Sequence, residues 1–243
     1  MTRPGAARSG ARPSTANRLL SALPTSSLLR LWPQLEPIPL NAHDVIYQSD
    51  EPMDAVYFVE SGLCSLMTTT REGYGVEAAS IGSEGLLGLP VGLGAPTMPV
   101  ETLVRVKGRA LRLGEQAFRR ELARDTALRD VVNRYANALL VHLLQSAACN
   151  RLHALEARCC RWLLGASDRL DLNAFPVTQE LLAGALGVRR PSLTLALRTL
   201  QRAGVLSYRR GHVTITDRLK LEASSCECYA VVRNHLERVF RGR

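Results

Sequence analysis

The sequence predicts an α+β fold, in which an N-terminal antiparallel β-roll or jelly roll is followed by a long helix and a small C-terminal domain. Three observations lead to this prediction. Residues 38–113 alternate short apolar runs with glycine-containing turns, at the spacing typical of such rolls. Residues 115–170 contain no proline and only one glycine, and their apolar residues recur at helical spacing. Residues 179–215 contain two short helical patterns around Gly187, followed by two short strand patterns.

The composition is that of a globular protein rather than of a membrane or exported one. The 243 residues are 46% hydrophobic and 22% charged, and no apolar run approaches the ~18 residues of a membrane span. Residues 1–18 carry four arginines, no acidic residue and no apolar core of a signal peptide. We therefore expect a disordered basic tail over 1–18 and a cytoplasmic protein whose six cysteines stay reduced.

The region 19–115 is predicted to form the β-roll. Helically spaced leucines open this region, interrupted by Pro24 and stopped by Pro33. Gly62 and Gly108 are expected to lie in turns between strands. The predicted strands are the short apolar runs 45–47, 56–59, 63–69, 76–81, 102–106 and 110–113.

The region 116–150 is predicted to form one long dimerisation helix. Four of its residues step by four, three and four positions, as in a coiled-coil seam: Leu128, Val132, Tyr135 and Leu139. Further apolar residues extend the apolar surface to a second face, so the helix needs two partners. We expect the β-roll to be one partner and the same helix of a second chain to be the other. The alternative is a helix buried within one monomeric core.

Positive charge is concentrated in the C-terminal quarter. The 31 basic and 22 acidic residues give a formal net charge of +9. Residues 178–243 hold 12 basic and 5 acidic residues (+7), whereas residues 19–177 hold 15 and 17 (−2). Arginine outnumbers lysine 29 to 2, so a general preference for arginine explains the residue type but not its segregation. A near-neutral body with a basic end is typical of a sensor joined to a module that binds a polyanion.

The segment from Gln179 to Leu200 has the pattern of a DNA-binding helix-turn-helix. Its two helices need a small residue where they cross and a glycine in the turn, and Ala183 and Gly187 occupy those positions. The inward-facing positions are all apolar: Leu182, Leu186, Val188, Leu193 and Ala196. The region 151–243 is therefore predicted to be a DNA-binding domain.

The second helix and the strands after it supply the candidate DNA contacts. Pro191 suits a first helical turn, and it is expected to hold Arg190 outside helical conformation at the helix tip, where arginine reads guanine. The pattern after Gly204 predicts a β-wing with Arg209 and Arg210 at its tip, suited to phosphate contacts. The alternative is that these side chains are simply solvated. The predicted DNA-binding residues are Arg189, Arg190, Ser192, Thr194, Leu195, Arg198, Tyr208, Arg209 and Arg210.

The order of β-roll, long helix and winged helix-turn-helix resembles the Crp/Fnr family of bacterial transcription regulators. The resemblance covers residues 17–243. It rests on VIYQSDEPMDAVYFVESG and LVRVKGRALRL in the roll, and on HALEARCCRWLL and LLAGALGVRRPSLTLALRTLQRAGVL in the DNA-binding domain. It implies a homodimer that binds a two-fold symmetric site on double-stranded DNA, is controlled by its sensor roll, and has RNA polymerase as a partner.

The ligand pocket that the resemblance implies is degenerate in this chain. Members that bind cyclic nucleotides hold the ribose with a Gly-Glu pair and the phosphate with an Arg-Ser or Arg-Thr pair. Here the matching stretches are Gly88-Leu89, and Val100-Glu101 before Thr102. An anion there would meet no cation and one repelling carboxylate. Cyclic AMP and cyclic GMP are therefore not expected to bind, no cofactor is predicted, and the effector is left open.

The cysteines and histidines do not by themselves predict a metal site. Iron–sulfur members of the family carry clustered cysteines near the N-terminus, whereas the first cysteine here is Cys64. Cys226 and Cys228 do not share a helix face, and no second closely spaced cysteine pair offers the remaining ligands. We predict structural or surface cysteines and no metal, with metal binding and a thiol redox switch as open alternatives. Among the five histidines, His142 near the helical seam is the candidate for a pH-sensitive contact.

The sequence thus predicts a sequence-specific transcription regulator that acts as a homodimer. The alternative is a nonspecific or architectural DNA-binding protein with a non-functional roll, whose affinity would depend steeply on salt without sequence preference. An enzyme is not predicted, because the G-x-S-x-G, H-E-x-x-H, Walker and dinucleotide-binding motifs are all missing from the sequence.

Overall fold

A computed structural model describes residues 11–73 and 75–241 and has the predicted α+β architecture. The helices are α1 Arg18–Ser21, α2 Thr25–Leu31, α3 Leu89–Gly92, α4 Glu115–Arg124, α5 Thr126–Leu152, α6 Leu155–Leu170, α7 Gln179–Leu186, α8 Arg190–Arg202, α9 Arg218–Ala223 and α10 Cys228–Phe240. The strands are β1 Glu36–Leu40, β2 Val45–Tyr47, β3 Ala55–Thr69, β4 Gly75–Ile81, β5 Leu86–Leu87, β6 Glu101–Gly114, β7 Ala174–Pro176, β8 Leu206–Arg209 and β9 His212–Ile215. Within the described ranges, no helix is both long and apolar enough to span a membrane.

The N-terminal sheet is antiparallel and is built around the two long strands β3 and β6. Its main strand order is β1-β6-β3-β4, with β2 also paired to β6 and β5 to β3. Phe58 of β3 packs edge to face on Phe118 of α4, with ring centroids 6.3 Å apart. Leu28 of α2 and Tyr135 of α5 are buried in the same cluster. The sheet, the N-terminal helices and α5 therefore share one hydrophobic core.

Two predicted turns, at Gly62 and Gly108, are instead bends inside long strands. The predicted strands 56–59 and 63–69 are both part of β3, and 102–106 and 110–113 are both part of β6. The pairing register of these two strands shifts around the glycines. A side chain on Gly108 would collide with the backbone of the facing strand. The prediction of turns was wrong because glycine also marks bulges, where two backbones approach closely.

Residues 11–18 of the predicted disordered tail lie in the described part, where Arg12 and Asn17 bond to the rest of the chain, whereas residues 1–10 lie outside it. Asn17 is buried, and its Nδ2 donates hydrogen bonds to the carbonyl oxygens of Val59 and Gly85, both at 2.8 Å. Its Oδ1 caps α1 by accepting from two backbone N–H groups of that helix. The side-chain amide of Asn17 thus bonds the roll through its nitrogen and the first turn of α1 through its oxygen. These bonds fix the start of α1 against the roll.

The predicted continuous helix from residue 116 is broken at Asp125. This residue is extended, with φ −108° and ψ 102°, and it separates α4 from α5. Its carboxylate accepts from the backbone N–H groups of Ala127 and Leu128, at 3.0 and 3.2 Å. Asp125 is therefore an N-cap, and the long helix α5 begins at Thr126.

The C-terminal domain combines α6–α9 with a three-stranded sheet in the order β7-β9-β8. Its own core includes Leu163, Leu182 and Val213, from α6, α7 and β9. After α9 the chain returns to the long helix, and α10 packs along α5. Near the start of α10, Gln145 contacts Cys228, whereas near its end Arg134 donates to the carbonyl of Val239, so the two helices are antiparallel.

Candidate DNA-binding interface and sensor region

The helix-turn-helix forms as the sequence predicted. The hydroxyl of Thr178 caps α7 by accepting from the N–H of Leu181 at 3.1 Å. The helix ends at Gly187, whose φ of +62° is a conformation that suits glycine. Of the inward-facing residues, Leu182, Leu186, Leu193 and Ala196 are buried and Val188 is half-buried.

The recognition helix α8 begins one residue earlier than Pro191 led us to expect. Arg189 is the extended N-cap, with φ −71° and ψ 141°, and Arg190 is the first helical residue. The expectation that Arg190 would be non-helical was wrong, since the steric bias of a residue before proline against helical conformation is a preference that a helix start can override. Arg189 and Arg190 both remain exposed at the helix tip.

The other predicted contacts of α8 lie mostly on its solvent-facing side. Ser192, Leu195 and Arg198 are exposed, whereas Thr194 is half-buried. The Thr194 hydroxyl lies 3.1 Å from Oε1 of Gln179, which is the first residue of α7. This contact gives Thr194 a role in positioning the two helices. The prediction overlooked Gln179, because a polar residue at a helix start carries no distinctive sequence signal.

The wing is a two-residue hairpin with Arg209 and Arg210 exposed near its tip. Its central residues, Arg210 and Gly211, have φ of +47° and +76°, as in a type I′ turn. Tyr208 differs from the other candidates because it is half-buried and its backbone N–H donates to Oε1 of Gln201 at 2.9 Å. Burial raises the pKa of Tyr208. Tyr208 thus joins the base of the wing to α8.

The exposed arginines of α8 and the wing form a positive surface. It comprises Arg189, Arg190, Arg198, Arg202, Arg209 and Arg210; Arg202 was not predicted. Within the described residues, none of these six side chains takes part in an ion pair with an acidic side chain. Their charge is therefore available to a phosphate backbone.

The degenerate pocket residues of the roll are largely taken up by packing. Gly88 precedes α3 with φ +84°, and a side chain there would strike the hydroxyl of Tyr47. Leu89, which the resemblance matches to the ribose-binding acid, is buried in the roll core. Val100 and Thr102 are buried as well, whereas Glu101 is half-exposed. Leu89 therefore contributes to the stability of the roll.

A line of polar contacts runs from the roll into the DNA-binding domain. Arg105 of β6 donates from Nε to the hydroxyl of Ser65 in β3 at 3.1 Å, and that hydroxyl donates to the carboxylate of Glu77 in β4. The other oxygen of Glu77 accepts from Nε1 of Trp162 in α6 at 2.8 Å. Arg105 thus points toward this buried network, which connects three strands of the sensor sheet to the first helix of the C-terminal domain.

The predicted dimer seam faces the chain's own roll. Leu128, Val132, Tyr135 and Leu139 are all buried within the subunit core. They were wrongly assigned as the exposed contact surface, because seam spacing identifies a face that packs but does not say against what. The exposed leucines of α5 are instead Leu140, Leu144 and Leu152.

His142 lies on α5 beside the domain boundary and is buried. Burial lowers the pKa of His142 well below its ordinary value, and the positive charges of Arg169 and Arg161 lower it further. The imidazole is therefore neutral at neutral pH.

Four potential metal ligands meet where α5 ends and α10 begins. Cys149 and His153 come from the end of α5, and Cys226 and Cys228 come from the segment that enters α10. One ligand atom from each side chain lies within 4.8 Å of every other. Sequence reasoning missed this cluster because Cys149 and Cys226 are 77 positions apart in the sequence. The argument that Cys226 and Cys228 cannot share a helix face also does not apply, since Cys226 precedes α10.

Comparison with known proteins is consistent with both halves of this architecture. Residues 37–125 match the cyclic nucleotide-binding domain family, and residues 157–224 match the Crp-like helix-turn-helix domain family. A search of the curated proteins finds no match.

Several solved structures share the fold at low sequence identity. FixK2 from Bradyrhizobium japonicum aligns with a TM-score of 0.70 at 16% identity, covering 79% of this chain and 98% of that chain. The c-di-GMP responsive global regulator CLP of Xanthomonas campestris aligns with a TM-score of 0.63 at 16% identity, over 79% and 99%. A CRP-family transcriptional regulator from Thermus thermophilus aligns with a TM-score of 0.64 at 19% identity, over 77% and 96%.

The two matched domains occur in one chain and are joined by a long helix, and the second carries exposed arginines on α8. No enzymatic family is indicated by these matches. The chain is therefore a DNA-binding regulator of Crp/Fnr type: a cyclic nucleotide-binding domain is followed by a Crp-like helix-turn-helix domain, with the fold of solved Crp/Fnr-family transcription regulators.

Proposed function

We propose that the protein binds a two-fold symmetric DNA site with sequence preference, as a homodimer, and that the roll controls this binding. The observation that carries the proposal is the tip of α8, where Arg189 and Arg190 are exposed and project from a helix start fixed by Pro191. An arginine at the tip of a recognition helix can bond both acceptors of a guanine in the major groove. The proposed setting is the cytoplasm, with RNA polymerase as the further partner that the family resemblance suggests.

A second line of α5 residues supports the dimer. Asn133, Asn137, Leu140, Leu144 and Ala147 step by four, three, four and three positions. Leu140 and Leu144 are 54% and 63% exposed, although they lie in the middle of the longest helix. Apolar residues at seam spacing are suited to packing against the same helix of a second chain. The buried face of α5 packs against the roll, and in the proposed dimer this exposed face packs against α5 of the second chain.

The effector is proposed to be something other than cyclic AMP or cyclic GMP. Leu89 fills the position of the ribose acid, and Val100 supplies no charge for a cyclic phosphate. Calorimetric titration is expected to show no micromolar binding of either nucleotide; such binding would refute this part of the proposal. A signal in the roll could reach α6 through the polar contacts between Ser65, Glu77 and Trp162.

The experiment that tests the function is selection of bound duplexes from a random DNA pool. We expect enrichment of a palindromic sequence, followed by tighter binding to that sequence than to a scrambled duplex at every salt concentration. Equal affinity for both duplexes, with a steep loss of binding as salt rises, would instead support a nonspecific or architectural protein. The second outcome is the alternative function, and it would overturn sequence preference.

A further inference from the structure

The side chains that meet between α5 and α10 have the chemistry of a structural metal site. Cys149 lies in the last turn of α5, and His153 is the residue that caps the end of this helix, with its backbone N–H donating to the carbonyl of Cys149 at 3.2 Å. Cys226 and Cys228 lie on either side of Glu227, and Cys228 is the first residue of α10. All three thiols are buried and His153 is half-buried. Three thiols and an imidazole are a ligand set that proteins use for zinc.

The distances between these side chains fit a single tetrahedral ion. Cys149 Sγ lies 3.5 Å from Cys226 Sγ, and Cys228 Sγ lies 3.5 Å from Nδ1 of His153. Metal–sulfur bonds of ~2.3 Å and metal–nitrogen bonds of ~2.0 Å at tetrahedral angles place two sulfurs ~3.8 Å apart and a sulfur and nitrogen ~3.5 Å apart. All four ligand atoms lie within 4.8 Å of one another, so the widest separation exceeds the tetrahedral value by at most ~1 Å.

Neighbouring groups hold the ligands in the required orientation. Nε2 of His153 lies 3.2 Å from a carboxylate oxygen of Glu227, so this nitrogen carries the proton and Nδ1 is left to face the thiols. Nε2 of Gln145 donates to Cys228 Sγ at 3.1 Å. A carboxylate behind a ligating histidine and an N–H donor to a ligating sulfur are common supports of metal ligands.

A buried positive charge lies beside the cluster. Arg158 is buried in the same region, where its Nη2 donates to Oδ1 of Asn150 at 3.0 Å. Metal binding requires deprotonated sulfur, and nearby cations reduce the repulsion between three thiolates.

We propose that Cys149, His153, Cys226 and Cys228 bind one zinc-type divalent ion in a closed, structural Cys₃His site. All four positions of a tetrahedral ion are filled by protein, which leaves no place for a reacting water. The ion would join the end of α5 to the start of α10. The chain between these two points contains the entire helix-turn-helix and the wing, so the site closes a loop around the DNA-binding domain.

The decisive experiment uses the full-length, reduced protein. We expect elemental analysis to find one zinc per chain. After removal of zinc with a chelator, Co²⁺ titration is expected to give the visible bands of tetrahedral cobalt and a thiolate charge-transfer band, saturating at one equivalent. Because this measurement uses the unaltered chain, it does not depend on the folding of any variant. Reduced protein that takes up neither ion would overturn the proposal.

Substitutions identify the ligands. Cys226→Ser should prevent zinc retention against a competing chelator, whereas the control Cys64→Ala, which removes a buried cysteine of β3, should retain one zinc. Glu227→Gln, which weakens only the support of His153, should lower zinc affinity by about 10- to 100-fold. Equal zinc affinity in Cys226→Ser and Cys64→Ala would refute the site. A disulfide between Cys149 and Cys226 that forms in reducing buffer, with loss of two titratable thiols and no zinc, would refute it as well.

Discussion

Arg169 donates from Nε to Oε1 of Glu84 at 2.9 Å, and both side chains are only 7% exposed although they belong to different domains. Arg169 lies near the end of α6, and Glu84 lies between β4 and β5 in the sensor roll. The other carboxylate oxygen of Glu84 accepts from the N–H of Gly82 at 3.0 Å. This buried ion pair, together with the contact of Trp162 on Glu77, holds the DNA-binding domain against the sheet.

Breaking this pair is predicted to destabilise the protein strongly. Glu84→Gln should lower the free energy of unfolding by about 3–5 kcal/mol, because it leaves the guanidinium of Arg169 buried without its counter-charge. Glu36→Gln is the matched control: Glu36 is 66% exposed and pairs with Arg112 at 3.7 Å, so the loss should stay below about 1 kcal/mol. Urea denaturation measures both. Equal losses would mean that the interdomain pair contributes no more than a surface pair.

The dimer interface is predicted to be on the free face of α5. Replacing Leu140 and Leu144 together by glutamate should convert the dimer to a monomer without loss of helix, because it buries charge in the proposed seam. Light scattering measures the mass, and circular dichroism measures the helix content. Leu219→Glu is the control, since Leu219 is 80% exposed on α9, away from the seam. A double variant that stays dimeric would place the interface elsewhere.

Arg190 and Arg209 are predicted to have different effects on DNA binding. Arg190→Ala should cost about 1–3 kcal/mol at the selected site and relax the preference at one base pair per half-site. Arg209→Ala should weaken all sequences alike and reduce the salt slope by about one per lost contact, counted once per subunit. Titrations against the selected and a scrambled duplex at several salt concentrations separate these effects. If Arg190→Ala weakened both duplexes equally, Arg190 would be a backbone contact.

The turn of the wing is predicted to be less stable with arginine at position 210 than with asparagine. Arg210 has a φ of +47°, a backbone conformation that residues other than glycine and asparagine rarely adopt. Arg210→Asn should therefore raise the free energy of unfolding by about 0.5–1 kcal/mol while weakening DNA binding, because a cation is lost from the wing tip. Arg209→Asn, in the adjoining strand, should weaken DNA binding without the gain in stability. A destabilised Arg210→Asn would show that the arginine makes a contact that outweighs the turn conformation.

His142 is predicted to make stability fall in mild acid. The pKa of His142 in the folded protein is lowered below 6.5 by burial and by Arg169 and Arg161, so below that pH the unfolded chain binds a proton that the folded chain does not. The contribution of neutral His142 to the free energy of unfolding is fully present above about pH 6.5. It is lost as the pH falls toward the pKa of His142 in the folded protein, by up to about 1.4 kcal/mol per pH unit. His142→Gln should flatten the stability curve between pH 7 and pH 5, to about this extent. His212→Gln, on the exposed wing, is the control, and an unchanged curve in His142→Gln would contradict the prediction.

Local patterns were the part of the fold that the sequence predicted well. The helix-turn-helix depends on Ala183, Gly187 and a fixed set of apolar positions within about twenty residues, so its geometry follows from neighbours along the chain. The cap formed by Asp125 is equally local, but the prediction overlooked it because the apolar periodicity continues across it. Strand boundaries were wrong at Gly62 and Gly108, where one residue type serves both turns and bulges.

Relationships between distant segments were beyond the sequence patterns. The spacing of Leu128 and Leu139 identified a packing face, but only the fold shows that the roll covers it. The pairing of Cys149 with Cys226 depends on α10 returning along α5 after the whole DNA-binding domain, and no local signal encodes that return. Polar links such as Trp162 to Glu77 are likewise set by how the domains dock.

The placement of the four ligands also fixes an order of events during translation. Cys149 and His153 are synthesised before the recognition helix, and Cys226 and Cys228 are synthesised after the wing. Domains generally fold in the order in which they leave the ribosome. All four ligands can therefore surround an ion only after the helix-turn-helix and the wing have been synthesised. A nascent chain that stalls within this part of the DNA-binding domain offers only Cys149 and His153. Zinc uptake would distinguish finished polypeptides from interrupted ones.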